Sequence, residues 1–132
     1  MATSSECVFC QIVQGKIPCH KIYEDEHYLA FMDIYPISHG HTLVVPKIHC
    51  DSIFDLDEKI YSGAFLVAKK LSKPIQKTTN CVRVCILVEG YFVPHAHIKL
   101  IPTNLATDLG NDTKPGSTTE LEKMAQKIRQ HL

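Results

Sequence analysis

The stretch His95-Ala96-His97-Ile98-Lys99-Leu100 alternates polar and apolar side chains without a break. An extended strand reconciles that alternation with a core, because successive side chains of a strand point to opposite faces. Ala96, Ile98 and Leu100 then pack inward. His95, His97 and Lys99 share the other face, about 7 Å apart from one to the next by strand rise.

Four further runs read as strands. His20–Glu24 and the run 28–33 flank the acidic turn Asp25-Glu26 as a β-hairpin. Thr42-Leu43-Val44-Val45-Pro46 is a short buried strand stopped by proline, and Cys81–Val88 is rich in β-branched residues. A turn at Gly90 leads into His95–Ile101, with Pro102 as the stop.

Between the strands, Ile60, Ala64, Val67, Ala68 and Leu71 recur on one helical face. Asp55 or Asp57 caps this helix, and Pro74 ends or kinks it. Cys7–Gly15 reads as a turn and one helical turn. A loop-like tail runs from Thr103 to Gly116, and Ser117-Thr118-Thr119-Glu120 is a capping box before a last helix bearing Leu121, Met124, Ala125 and Ile128. The expected class is α+β. It is a single domain over residues 1–132, with about five antiparallel strands, one long central helix and an extra C-terminal helix.

Lys plus Arg and Asp plus Glu both number 14, so the net charge is zero. That balance argues against bulk nucleic-acid binding, which favours a basic face, and against electrostatic membrane anchoring. No apolar run approaches the ~18 residues of a membrane span, and the first residues lack the pattern of a signal peptide. The expected compartment is the cytoplasm, with the nucleus in addition to it. In a reducing compartment the six cysteines are ligands, catalytic groups or small core residues rather than disulfides. Cys7-Val8-Phe9-Cys10 is a CxxC pair compatible with zinc, redox chemistry or coincidence. Cys19, Cys50, Cys81 and Cys85 read as small buried residues, His39 and His41 as turn residues, and His20, His27 and His131 as surface residues.

Two imidazoles and an ammonium in a row suit a phosphate group. Imidazole can be nucleophile or base, and a cation can stabilise charge on phosphoryl oxygens. A half-exposed strand with a polar outer face is the plainer reading, and two histidines plus a lysine at alternate positions weigh against it.

Val93-Pro94-His95-Ala96-His97-Ile98-Lys99-Leu100-Ile101-Pro102 resembles the signature of the histidine triad (HIT) family of nucleotide hydrolases and transferases. Cys7–Ile12, Lys16-Ile17-Pro18, Tyr23–Glu26, Ala30–Ile34 and His41–His49 fall in the family's order, so the resemblance covers about residues 6–102. The tail beyond Thr103 carries no such match.

The resemblance implies that His97 attacks the α-phosphate of a nucleoside monophosphate ester or amidate, forming a covalent nucleotidyl-histidine that water hydrolyses. His95 and Lys99 would complete the triad. Asp33 would bind the ribose hydroxyls, and Phe9, Ile12, Phe31 and Ile34 would wall the pocket of a purine nucleotide or nucleotide conjugate. It also implies a structural zinc on Cys7, Cys10, His49 and His95, as in the short hydrolase-like branch, and a homodimer using the helix around Ile60–Leu71.

Three departures bear on activity. The third triad position is Lys99, which keeps a cation, although a lysine side chain is a poor proton shuttle near neutrality. The loop Glu89-Gly90-Tyr91-Phe92-Val93-Pro94 is short, and Val88 replaces a frequent asparagine. A nucleotide-binding protein with little turnover, and a dinucleoside polyphosphate hydrolase, are therefore the alternative readings.

Overall fold

The computed structural model describes residues 6–132. A short helix α1 (Val8–Val13) precedes the hairpin β1 (Lys21–Glu24) and β2 (Tyr28–Met32). Then follow β3 (Thr42–Pro46), α2 (Glu58–Thr79), β4 (Arg83–Leu87), β5 (Ile98–Thr103) and α3 (Thr118–Gln130). The five strands form one antiparallel sheet in the order β1-β2-β3-β5-β4. This is the α+β architecture the sequence predicts.

The central strands are buried on both faces, so β2 and β3 read as continuous apolar runs. Even-numbered side chains of these strands, among them Ala30, Met32, Val44, Ile98 and Leu100, join the core beneath α2 and α3. Leu29, Phe31, Leu43 and Val45 point the other way and pack with Phe9 of α1. The helices therefore cover one face of the sheet, and α1 covers only part of the other. Gly63 lets α2 approach β2, since a Cβ there would overlap the Tyr28 hydroxyl. That hydroxyl donates to the Ile60 carbonyl at 2.8 Å.

Three boundaries depart from expectation. Pro74 neither ends nor kinks the chain out of α2, which continues to Thr79 and closes on Asn80 in the left-handed region (φ 56°). Its apolar stripe simply continues: Leu71, Pro74 and Ile75 are all buried, and their packing outweighs the hydrogen bond a proline omits. The start of α2 does agree: Asp57, one of the two expected caps, accepts from the Ile60 amide at 2.9 Å, while Asp55 lies in a 3-10 turn. Pro102 sits within β5 rather than after it. β3 pairs only with Ile98–Leu100, so beyond Leu100 one side of β5 has no ladder for a proline to break. The strand also begins at Ile98, leaving His95 and His97 in the segment leading into it.

The tail is not all loop, for it holds a 3-10 turn at Ala106–Gly110. It is tied back where the Gly116 amide donates to the Ile34 carbonyl at 2.8 Å. Ser117 caps α3, accepting from the Glu120 amide at 3.1 Å. Among the described residues, no helix is long and apolar enough to cross a membrane.

Candidate functional site

On the sheet face left open by the helices lies a cavity of about 440 Å³. Phe9 and Ile12 of α1, Phe31 of β2, and Ile34 line it together with Asp33, His97 and Lys99. The period of two explains the convergence. Phe31 and Asp33, His41 and Leu43, and His97 and Lys99 occupy odd positions that face away from α2. Phe9 and Phe31 meet edge to face at 5.6 Å between ring centroids, and Phe9 meets the His97 ring in the same way at 4.9 Å. Ile34 is 54% exposed and forms the rim rather than the wall.

His97 is 4% exposed and lines the cavity. Its Nδ1–H donates to the His95 carbonyl at 2.6 Å. A carbonyl can only accept, so the proton of the neutral ring is on Nδ1 and the lone pair is on Nε2. Burial lowers the pKa of His97, with the Lys99 charge adding to it, while the hydrogen bond to His95 acts the other way. The ring is thus held neutral and oriented.

Asp33 accepts the Tyr35 amide on Oδ1 at 2.8 Å, and its Oδ2 faces His41 Nε2 at 3.4 Å. Burial raises the pKa of this carboxyl, opposed by the Tyr35 amide and by Lys99. His41 is not a simple turn residue: it is 1% exposed and lines the cavity. Its Nδ1 accepts the Ile37 amide proton at 3.0 Å, leaving the ring's own proton on Nε2. Burial, helped by the nearby Lys99, pushes its pKa down to about 3. Sequence reasoning missed this residue, although its odd position ahead of Leu43 and Val45 places it on the cavity face. Glu89 and Thr113 were missed as well, and both line the cavity.

Lys99 Nζ lies 3.5 Å from Glu89 Oε1 and 5.8 Å from the centroid of the Phe92 ring. Glu89 Oε2 accepts the Tyr91 amide at 3.0 Å. The pKa of Glu89 is lowered: burial alone would raise it, but the Gly90 and Tyr91 amides and Lys99 prevail.

His95 does not share the cavity with His97 and Lys99. Its ring is fully buried beside Cys7, Cys10 and His49, and the four ligand atoms of this cluster lie within 4.8 Å of one another. His95 Nδ1 stands 3.2 Å from Cys7 Sγ, 3.5 Å from Cys10 Sγ and 3.2 Å from His49 Nδ1. Cys10 Sγ stands 3.3 Å from His49 Nδ1. A tetrahedral ion with bonds of about 2.3 Å to sulfur and about 2.0–2.1 Å to nitrogen has edges of roughly 3.3–3.8 Å. The donor set therefore fits a tetrahedral metal. His95 Nε2–H donates to the Pro46 carbonyl at 2.8 Å, which turns the bare Nδ1 toward the cluster. Burial, with Cys7 beside it, pushes the Cys10 thiol up to about 11, so a metal entering here must displace a proton.

The other cysteines depart from expectation. Cys19, Cys50, Cys81 and Cys85 are all partly exposed rather than buried. His20 is also half-buried, with Nδ1 3.0 Å from Glu122 Oε1, which ties β1 to α3.

The family model "HIT domain" matches residues 14–106. Adenosine 5'-monophosphoramidase hnt1 of Schizosaccharomyces pombe is 33% identical over 126 residues, 92% of this chain and 95% of that protein. Adenylylsulfatase HINT3 of Arabidopsis thaliana is 30% identical over 97% of this chain and 70% of its own. Among solved structures, a zinc-bound histidine triad family protein from Mycobacterium smegmatis superposes with a TM-score of 0.83 at 28% identity, covering 97% of this chain and 94% of the other. The family model spans well over half of the sequence, and the chain belongs to the HIT domain family.

Proposed function

We propose that this chain is a nucleotide hydrolase or nucleotidyl transferase acting at the α-phosphate of nucleoside monophosphate esters or amidates. The observation that carries the reading is the His97 ring, locked by the His95 carbonyl with its Nε2 lone pair free in a cavity of nucleotide size. Nε2 attacks phosphorus, the bond to the leaving group breaks, and a nucleotidyl-imidazole forms. Water then cleaves the P–N bond, releasing a nucleoside monophosphate and restoring the neutral ring. Lys99 attracts the phosphoryl oxygens as charge develops on them. Asp33 accepts from the ribose hydroxyls, and Phe9, Ile12, Phe31 and Ile34 hold a purine base. The named activities of the yeast and plant relatives, on a phosphoramidate and an adenylylsulfate, support this substrate class.

Cys7, Cys10, His49 and His95 would hold a structural zinc, a role supported by the fit of the donor set and by the zinc-bound mycobacterial relative. When bound, zinc supplies a cross-link between α1 and the segment entering β5, and no chemistry at phosphorus. We read the working form as a homodimer.

Mixing the protein with an AMP amidate, followed by intact-mass and peptide analysis, tests the reading. An adduct of one nucleotidyl mass on His97 is expected. His97→Ala should lose the adduct and slow turnover by about 100-fold or more. A nucleotide-binding protein with little turnover remains the second reading, favoured by the engagement of Lys99 with Glu89. Tight AMP binding without adduct or product would establish it instead.

A further inference from the structure

The cavity's charges are sparse and unevenly placed. Among its described lining residues Lys99 is the one lysine or arginine, and the carboxylate of Glu89 stands against it at 3.5 Å. Glu89 is not a loose surface acid. Its side chain is 17% exposed, Oε2 is pinned by the Tyr91 amide, and buried Oε1 lies 3.5 Å from the Lys99 ammonium with no hydrogen-bond partner among the described residues. An anion of the substrate thus meets a cation already partly neutralised, beside a fixed carboxylate. Phe92 lines the cavity next to this pair and is nevertheless 87% exposed, so this end opens to solvent. A group too large for the cavity has an opening to solvent there, past Glu89.

From this arrangement we propose that Glu89 sets leaving-group specificity, admitting nucleotide conjugates whose leaving group is cationic or amine-bearing and disfavouring polyphosphate and sulfate leaving groups. The physical basis is like-charge juxtaposition, which discriminates more strongly than it attracts. The phosphodiester or amidate anion keeps Lys99, and a positive group on the leaving side meets the Glu89 carboxylate. A second phosphate or a sulfate would instead bring a further negative charge beside it. The inference rests on the reaction proposed above and narrows its substrates.

Three 4-nitrophenyl esters of AMP test it: one with an unsubstituted ring, one with a ring carboxylate and one with a ring trimethylammonium group. Their nitrophenolate leaving groups depart without a proton, and dividing each rate by that of Glu89→Gln on the same ester cancels the difference in leaving-group acidity, so charge beside Glu89 is the variable. Wild type should show kcat/KM falling in the order cationic, neutral, anionic. Glu89→Gln keeps the acceptor for the Tyr91 amide, and it should shift the anionic-to-cationic ratio upward by about tenfold or more. Equilibrium binding of the same three tails on a non-cleavable phosphonate should follow the same order in wild type, a readout independent of turnover. If the neutral ester is cleaved while the three rates are equal in wild type, or the ratio is unmoved in Glu89→Gln, the specificity role is overturned and the reaction stands. If the neutral ester is neither cleaved nor leaves an adduct on His97, the reaction falls and the inference with it.

Discussion

His41 and Lys99 each make a measurable demand on the residue scale. Because the Ile37 amide donates to His41 Nδ1, that nitrogen cannot carry a proton without setting two N–H groups against each other. Asp33 approaches Nε2 to 3.4 Å, but burial, with the Lys99 charge behind it, pushes the pKa down to about 3. An unfolded imidazole titrates near ~6.5, so on acidification the unfolded chain takes up this proton first. His41's contribution to stability is whole above about pH 6.5 and declines toward pH 3, by about 1.4 kcal/mol per pH unit. Asp33, with a raised pKa, acts in the opposite sense but only closer to the carboxylate range. Urea unfolding of wild type and His41→Asn at pH 7.5 and 5.5 checks the sign. The stability gap between them should move against wild type by about 1.4 kcal/mol, and a constant gap would refute a neutral His41. Lys99 poses a kinetic question, since an ordinary lysine ammonium gives up its proton reluctantly near neutrality. Lys99→His should speed cleavage of an AMP amidate about tenfold or more, while an ester whose leaving group needs no proton changes little. Equal amidate rates in the two proteins would remove proton delivery from the account.

Element boundaries mark where local sequence and tertiary packing part company. The alternation at 95–100 announces β5 and assigns Ala96, Ile98 and Leu100 to the core, where they lie. Yet the same alternation places His95 in the phosphate-facing row, whereas a donor set from α1 and the end of β3 draws its ring away. Strand period is local, and that cluster spans 88 residues between Cys7 and His95. Pro74 and Pro102 read as stops because a proline's cost is visible in sequence, while the burial of Ile75 and the open side of β5 are not. Motif order singles out Asp33, Phe9 and Phe31, and all three line the cavity. Glu89 and Thr113 are not singled out, because a loop and a distant tail carry no period to say which way they face. The cluster also predicts how α1 behaves. With Cys7, Cys10, His49 and His95 tied by one ion, α1 would be cross-linked to the segment that carries His97, and Phe9 with it. Protein purified without chelator should carry one zinc per chain. Chelation should lower the unfolding temperature and weaken AMP binding, as Phe9 loses its place against His97. Absence of stoichiometric zinc would end that claim.

At the scale of the whole molecule, the two sheet edges are treated differently. β1 is guarded: α3 packs against it, the Arg129 guanidinium donates to the Lys21 carbonyl, and His20 meets Glu122. β4 is the bare edge among the described residues, and Ile86 and Leu87 on it are 49% and 36% exposed. Leu66 of α2 is exposed as well, at 66%, although most of the apolar stripe of that helix is spent on its own sheet. An unguarded apolar edge invites pairing, and a two-fold axis is the arrangement that closes it without fibre growth. A second copy of this chain would supply the matching edge, and the zero net charge sets no repulsion against it. The expected contact therefore centres on β4, with α2 contributing its outward residues rather than its buried stripe. Light scattering after size exclusion should give twice the chain mass of 14.9 kDa. Ile86→Lys combined with Leu87→Lys, both at exposed positions, should yield a folded monomer with an unchanged circular dichroism spectrum. Leu66→Glu alone should weaken the dimer less. A wild-type protein that elutes as a monomer at tens of micromolar would leave β4 as a tolerated edge, and pairing of two copies would no longer be part of how this fold works.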